Sequence, residues 1–229
     1  MRTTFVRSIA FAAAAFFAVA ANAASEEKSI GLLNNLEVRQ LVARAEPGDN
    51  ARLSVHFSAL ADQFAAEAKR HTSMSNSFAG NPSRNLGTGM SAHCKQLADL
   101  NTQSANTARE LSTYHGELAE GTAATPPRDA AKFHAGAGAP EPTEKELTAM
   151  AAKAGTPAEH KALEEYFLTL AKRYSTEVNE HVALAQAYRG TKIAQAAVHH
   201  DRLASLAGHS AKEANAAAEM HRQLANVAR

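Results

Sequence analysis

The sequence predicts an all-α fold, a four-helix bundle made of two duplicated antiparallel helical hairpins, plus a short N-terminal helix and a partly helical crossover. Three observations predict it. Apolar residues recur at steps of three and four along four long segments, as in helices packed side by side. Two of these segments match the other two in sequence. Alanine and other helix formers dominate them, whereas most of the seven prolines lie elsewhere.

The apolar periodicity sets the approximate limits of the long helices. They run from about Ala51 to Phe78, Met90 to Ala119, Pro157 to Arg189, and Lys192 to the C-terminus. Gly80 and Gly190 follow the first and third helices. Because glycine readily adopts the left-handed conformation that closes many helices, both are predicted as C-terminal caps.

Two shorter helices complete the predicted fold. Ser25 to Ala45 forms one amphipathic segment before the first long helix. The crossover between the hairpins, residues 121–156, contains Pro126-Pro127 and several glycines, which favour loops. Within it, Thr143 precedes Glu144 and Glu146, a pattern typical of a capped helix start, so a helix is predicted over about 143–154.

The internal repeat appears when the segments are aligned. Residues 60–80 match residues 170–190 at an offset of 110, and residues 93–119 match 199–225 at an offset of 106. The difference of four is accounted for by a longer first hairpin loop. We therefore interpret residues 24–229 as one duplicated domain, with repeats at about 50–120 and 157–229 joined by the linker 121–156.

The first 23 residues have the pattern of a signal peptide. Arg2 and Arg7 precede an apolar stretch, and Ala21-Asn22-Ala23 supplies small residues on either side of the expected cleavage site. The apolar stretch is short for a membrane span, and no later segment is apolar enough to be one. We expect cleavage, export to the periplasm and no membrane span in the mature chain.

Charge and motifs exclude several function classes. Cleavage would leave 22 of the 24 basic residues against 23 acidic ones, which gives no electrostatic footprint for nucleic acid. The single cysteine, Cys94, cannot form an internal disulfide. There is no phosphate-binding glycine loop or nucleophile elbow, and the Glu-x-x-His pattern of di-iron bundles is replaced by Glu-x-x-x-His. We expect a non-enzymatic protein.

Four histidines at matching positions of the two repeats are the main functional feature. His181 and His199 each lie nine residues from Gly190, which places both about 13 Å from the hairpin tip. His71 and His93 are their counterparts in the first hairpin. If the two tips lie at one end of the bundle, all four imidazoles converge in one core layer. Such a layer predicts a site for copper or zinc.

Further candidate ligands lie beside these histidines. Glu67 and Glu177 precede His71 and His181 by four residues, one helical turn, and are expected to orient the imidazoles or bind a second ion. Cys94 follows His93, and His200 occupies the matching position of the second repeat. A second, poorer layer is formed by residues near the other end of the helices: His115, His160 and His221, with Asn50 at the position that matches His160.

Other interpretations stay open at this point. Two of the histidines could be axial ligands of a b-type haem, since small side chains on the second and fourth helices could leave a slot. Alternatively, the histidines are structural, and the protein is a non-enzymatic accessory or stress protein with a periplasmic protein partner. If the hairpin tips lie apart, the four-histidine layer splits into two pairs, and a homodimer could complete each pair.

Overall fold

The computed structural model describes residues 32–80, 89–120 and 142–227, and these ranges are helical with short connections, which confirms the all-α bundle. The helices are α1 (Asn35–Arg44), α2 (Pro47–Ala79), α3 (Gly89–Leu118), α4 (Glu144–Lys153), α5 (Pro157–Arg189) and α6 (Ala196–Val227). The predicted signal peptide, the first hairpin loop and the proline pair of the crossover lie outside the described residues.

The helix starts follow local capping chemistry. Thr143 and Thr156 each accept a hydrogen bond, on the side-chain oxygen, from the backbone N–H of the glutamate three residues later. The carboxylate of that glutamate accepts a hydrogen bond from the threonine backbone N–H, so α4 and α5 begin where predicted. Helix α1 begins at Asn35 because Asn34 forms a capping box with Glu37, whereas the predicted start at Ser25 lies outside the described residues. Helix α2 begins at Pro47, earlier than predicted, since proline is tolerated in a first turn.

The predicted left-handed glycine caps are wrong. Gly80 has φ −70° and Gly190 has φ −89°, so both helices end in right-handed turns that non-glycine residues could also adopt. The left-handed cap is at Ala45 instead, with φ 52°, in the connection between α1 and α2. Helix α6 starts at Ala196 rather than Lys192 because residues 191–195 form consecutive turns after Gly190.

Two hairpins, α2–α3 and α5–α6, pack against each other mainly through α3 and α6. The α2–α5 side is more open. Helix α1 contacts α2 and α5 at one end of it, and α4 contacts both at the other end. No helix in the described ranges is long and apolar enough to cross a membrane.

The hairpin tips lie at opposite ends of the bundle. One buried cluster joins the N-terminal half of α2, where Phe57 lies, to the C-terminal end of α5, where Tyr188 lies. The other joins Phe78, at the C-terminal end of α2, to the N-terminal half of α5 around Phe167. Neighbouring long helices therefore run antiparallel, and the tip of each hairpin meets the base of the other.

Contacts recur at positions related by the offsets found in the sequence. Phe57 stacks on His115 with ring centroids 5.5 Å apart, and Phe167 stacks on His221 at 5.6 Å. Phe167 and His221 are the residues that the offsets of 110 and 106 assign to Phe57 and His115. A stacked phenylalanine–histidine contact therefore lies at the base of each hairpin.

Candidate functional site

The structure does not bring together the four histidines predicted to converge. Because the hairpin tips lie at opposite ends, His71 and His93 belong to one end of the bundle, and His181 and His199 to the other. In the ranges that the structure describes, no three histidine, cysteine, aspartate or glutamate side chains form a ready-made metal site. The expected four-histidine layer is therefore replaced by pairs.

His93 and His199 face the edge of the α3–α6 interface rather than the core. Their side chains are 20% and 23% exposed, and each contacts a carboxylate of the opposite helix. His93 Nδ1 donates to Glu213 Oε1 at 2.5 Å, and His199 Nδ1 lies 3.3 Å from Glu110 Oε2. Periodicity assigned them to the buried stripe, but the following residues occupy it.

Those following residues are Cys94 and His200, and both are fully buried. One residue along a helix is a rotation of about 100°, enough to move a side chain from the interface edge into the core. Burial raises the pKa of the Cys94 thiol to about 12, with a smaller contribution from the charge of Glu213. In the metal-free protein Cys94 is therefore a neutral thiol that packs as a small apolar side chain.

His181 and His200 form a buried pair across the second hairpin. Their Nδ1 atoms are 3.2 Å apart, and the ring centroids are 5.3 Å apart. The His200 ring also stacks on Tyr188, and its Nε2 atom is buried without a hydrogen-bond partner. Two of the predicted metal ligands thus meet with nitrogen facing nitrogen.

Burial keeps this pair uncharged. Loss of solvent lowers the pKa of His181 to about 4. The pKa of His200 lies well below the usual value of 6.5, first because of burial and then because His181 and other histidines are close. A neutral imidazole has a free lone pair on one nitrogen, which is the form that binds a metal ion or accepts a hydrogen bond.

Two more histidines, which sequence analysis did not assign to this site, surround the pair. His56 and His115 both contact the ring of Phe57, which also contacts His200. His56 Nδ1 accepts a hydrogen bond from the Leu33 backbone at 3.0 Å. The tip of the second hairpin therefore contains four buried histidines, although only two of them match the predicted set.

His115 is a structural histidine with both ring nitrogens occupied. Its Nδ1 donates to Asn50 Oδ1 at 2.9 Å, and its Nε2 accepts from the Tyr188 hydroxyl at 3.0 Å. Burial lowers its pKa to about 4, with a smaller effect from His199. The hydrogen bonds fix the tautomer and orientation of this ring, and they occupy both nitrogens that could bind a metal.

His71 is fully buried and lies beside a buried carboxylate, as the four-residue spacing predicted. Its Nε2 atom is 3.3 Å from Glu67 Oε1. Glu67 Oε2 also accepts a hydrogen bond from Arg70 Nη1 at 2.8 Å and lies 3.3 Å from Arg173 Nη2. Burial alone would raise the pKa of Glu67, but His71 and the two guanidinium groups lower it to about 2. His71 and the two arginines thus hold Glu67 as an anion.

Glu177 does not repeat the role of Glu67. Its Oε1 atom lies 3.7 Å from Arg173 Nε, and it lines a cavity of about 490 Å³ together with His181 and Glu180. The cavity opens on the α2–α5 side under the segment that leads into α1. His56 also lines the cavity, which therefore reaches His181, one member of the histidine pair, from outside the bundle.

A second histidine pair lies at the other end of the bundle. His160 in the first turns of α5 and His221 near the end of α6 are both buried, with Nδ1 atoms 3.1 Å apart. Burial lowers the pKa of His221 to about 3, with further effects from His160 and His93. These residues were predicted only as a poorer layer, because the first repeat has Asn50 in place of His160.

Comparison with known proteins finds no match to any family model, to any curated protein or to any solved structure.

Proposed function

We propose that this protein is an exported, non-enzymatic metal-binding bundle that holds a transition-metal ion between His181 and His200. The observation that carries the proposal is the 3.2 Å separation of the two Nδ1 atoms in a buried, uncharged pair. A zinc or copper ion binds imidazole nitrogen at about 2.0–2.1 Å, so two nitrogens on a tetrahedral ion are about 3.3 Å apart. An ion bound there would replace the proton of the present hydrogen bond between the two Nδ1 atoms.

The cavity can supply the further ligands that a four-coordinate ion needs beyond two histidines. A structural zinc site normally has four protein ligands, whereas this pair gives two, and water from the cavity can occupy the remaining positions. The acidic side chains of Glu177 and Glu180 line the same cavity and attract cations towards it. His181 lies on the cavity wall, so an incoming ion reaches the pair without unfolding the bundle.

Copper is expected to bind more tightly than zinc. Imidazole suits both metals, and the affinity of nitrogen ligands for copper(II) exceeds that for zinc(II). No hydrogen bond or ion pair joins a carboxylate to His181 or His200 within the described residues, so a bound ion keeps its charge in a buried setting. Copper(I) carries one charge rather than two, so its burial costs less desolvation free energy than burial of copper(II) or zinc(II).

Haem is not proposed. Axial ligation by two histidines requires the rings to stand on opposite faces of a macrocycle, with the iron between them. The two rings of each pair are in direct contact instead. Many of the alanines of α3 and α6 that could have left a slot are buried, and these two helices pack against each other.

The test is metal retention by the mature chain. Protein exposed to copper(I), copper(II) or zinc(II) and then desalted is analysed for bound metal, with His181→Gln and His200→Gln as the site variants. The double variant His93→Gln/His199→Gln is the matched control, because it removes two partly exposed histidines, one of them directly before His200 on α6. We expect each site variant to lose one ion per chain and the control to keep it. Equal retention in all four proteins would reject the site.

A further inference from the structure

The His160–His221 pair has almost the same geometry as the pair proposed above. Its Nδ1 atoms are 3.1 Å apart and its ring centroids are 5.4 Å apart, compared with 3.2 Å and 5.3 Å for His181 and His200. Both rings are buried, and His221 is enclosed by Phe78 and Phe167. The distance is again close to the spacing of two nitrogens on one tetrahedral ion.

The matching position of the first repeat shows what a purely structural arrangement looks like. There, Asn50 replaces the first histidine and accepts from His115 Nδ1, and the Tyr188 hydroxyl donates to His115 Nε2. Both nitrogens of that buried ring are satisfied, as expected for a polar group in a core.

The second pair departs from this arrangement at both places. The offset of 110 relates Phe78 to Tyr188, and the ring of Phe78 lies 5.9 Å from His221, compared with 5.8 Å between Tyr188 and His115. Phenylalanine has no hydroxyl, so His221 Nε2 is buried without a partner. The amide at position 50 is replaced by a second imidazole at position 160. The first change removes a hydrogen-bond donor, whereas the second replaces an amide by an imidazole that hydrogen-bonds His221 at 3.1 Å and is also a nitrogen ligand.

We propose that His160 and His221 form a second metal site, so that the chain binds two ions, one near each end of the bundle. This inference rests on the proposed function for the class of ion, copper or zinc, but its occupancy is independent of the first site. His160 precedes His181 by 21 residues on α5, which separates the sites by about 32 Å along the helix. At that distance neither ion affects the binding of the other measurably.

The test combines metal counting with a distance measurement. The wild-type mature chain is loaded with copper(II), desalted, and analysed for metal content and by pulsed dipolar electron paramagnetic resonance. His160→Asn is the key variant, because it recreates the asparagine–histidine pair that the first repeat already contains. His181→Gln is its counterpart at the first site, and His221→Gln is a second variant should His160→Asn fail to fold by circular dichroism.

We expect two ions per wild-type chain with a copper–copper distance of about 30 Å. Each single-site variant should retain one ion and lose the distance signal. If the wild type holds one ion that His181→Gln loses and His160→Asn keeps, the second site is rejected and the proposed function stands. If His160→Asn alone loses the ion, the second site stands and the first is wrong. No retained metal would overturn both.

Discussion

Acidification of the metal-free protein should remove much of its stability well above the pH at which carboxylates titrate. Three buried histidines have strongly lowered pKa values, about 4 for His115 and His181 and about 3 for His221, compared with 6.5 for an exposed histidine. In each case burial is the main cause. The folded protein therefore keeps these rings neutral in a pH range where the unfolded chain protonates them.

The sign and size follow from proton linkage. Above about pH 6.5 both states are neutral at these rings, so the free energy of unfolding is constant. Below it, only the unfolded chain takes up protons, and each ring lowers the free energy of unfolding by about 1.4 kcal/mol per pH unit until its folded pKa is reached. At about pH 5 the loss is about 2 kcal/mol per ring and about 6 kcal/mol for three. Total stabilities are typically about 5–15 kcal/mol, so the loss is large.

Urea unfolding followed by far-UV circular dichroism, in the presence of a chelator, measures this loss at pH 7.5, 6 and 5. His221→Phe should reduce the difference between pH 7.5 and 5 by about 2 kcal/mol, because one of the three rings is removed. His209→Gln is the control, since His209 is exposed and should leave the difference unchanged. A free energy of unfolding that stays constant between pH 7.5 and 5 would refute the reasoning.

Two further predictions concern the buried polar contacts. Tyr188→Phe should lower the free energy of unfolding in urea by about 1–2 kcal/mol, because His115 Nε2 loses its hydrogen-bond donor. Phe78→Tyr should raise the free energy of unfolding by about 1 kcal/mol, because it gives His221 Nε2 a hydroxyl partner. The opposite signs would contradict the assignment of these contacts. Glu67→Gln should cost about 3 kcal/mol at neutral pH, because two guanidinium groups lose their buried carboxylate. The same variant should lose less stability than the wild type between about pH 4.5 and 2, where Glu67 takes up a proton in the unfolded chain but stays ionised in the folded protein. An unchanged acid profile would count against the low pKa.

The histidine sites show how a small rotational error misplaces a predicted ligand. Steps of three and four describe a stripe of finite width, and a residue at its edge satisfies the pattern almost as well as one at its centre. His93 and His199 lie at such an edge, where each finds a carboxylate on the neighbouring helix. His200, the next residue, occupies the centre and meets His181. Only the positions of the neighbouring helices decide whether His199 or His200 faces the core.

The sequence by itself determined the features that depend on neighbours along the chain. Helix periodicity predicted four long helices, and the limits of α5 agree with Pro157–Arg189 because Thr156 and Glu159 form a cap from local atoms alone. The glutamate one turn before His71 was likewise predicted to lie beside it, since a four-residue spacing fixes that contact within one helix.

Tertiary structure alone decided which histidines meet. The long crossover permits the two hairpins to pack with their tips together or apart. Packing with the tips apart places Tyr188 beside His115 and Phe78 beside His221. The expected layer of four does not form, and of its members only His181 belongs to one of the two observed histidine pairs. The physical reason is that helix formation depends on contacts a few residues apart, whereas a core site depends on contacts between residues distant in sequence, such as the 61 positions that separate His160 from His221.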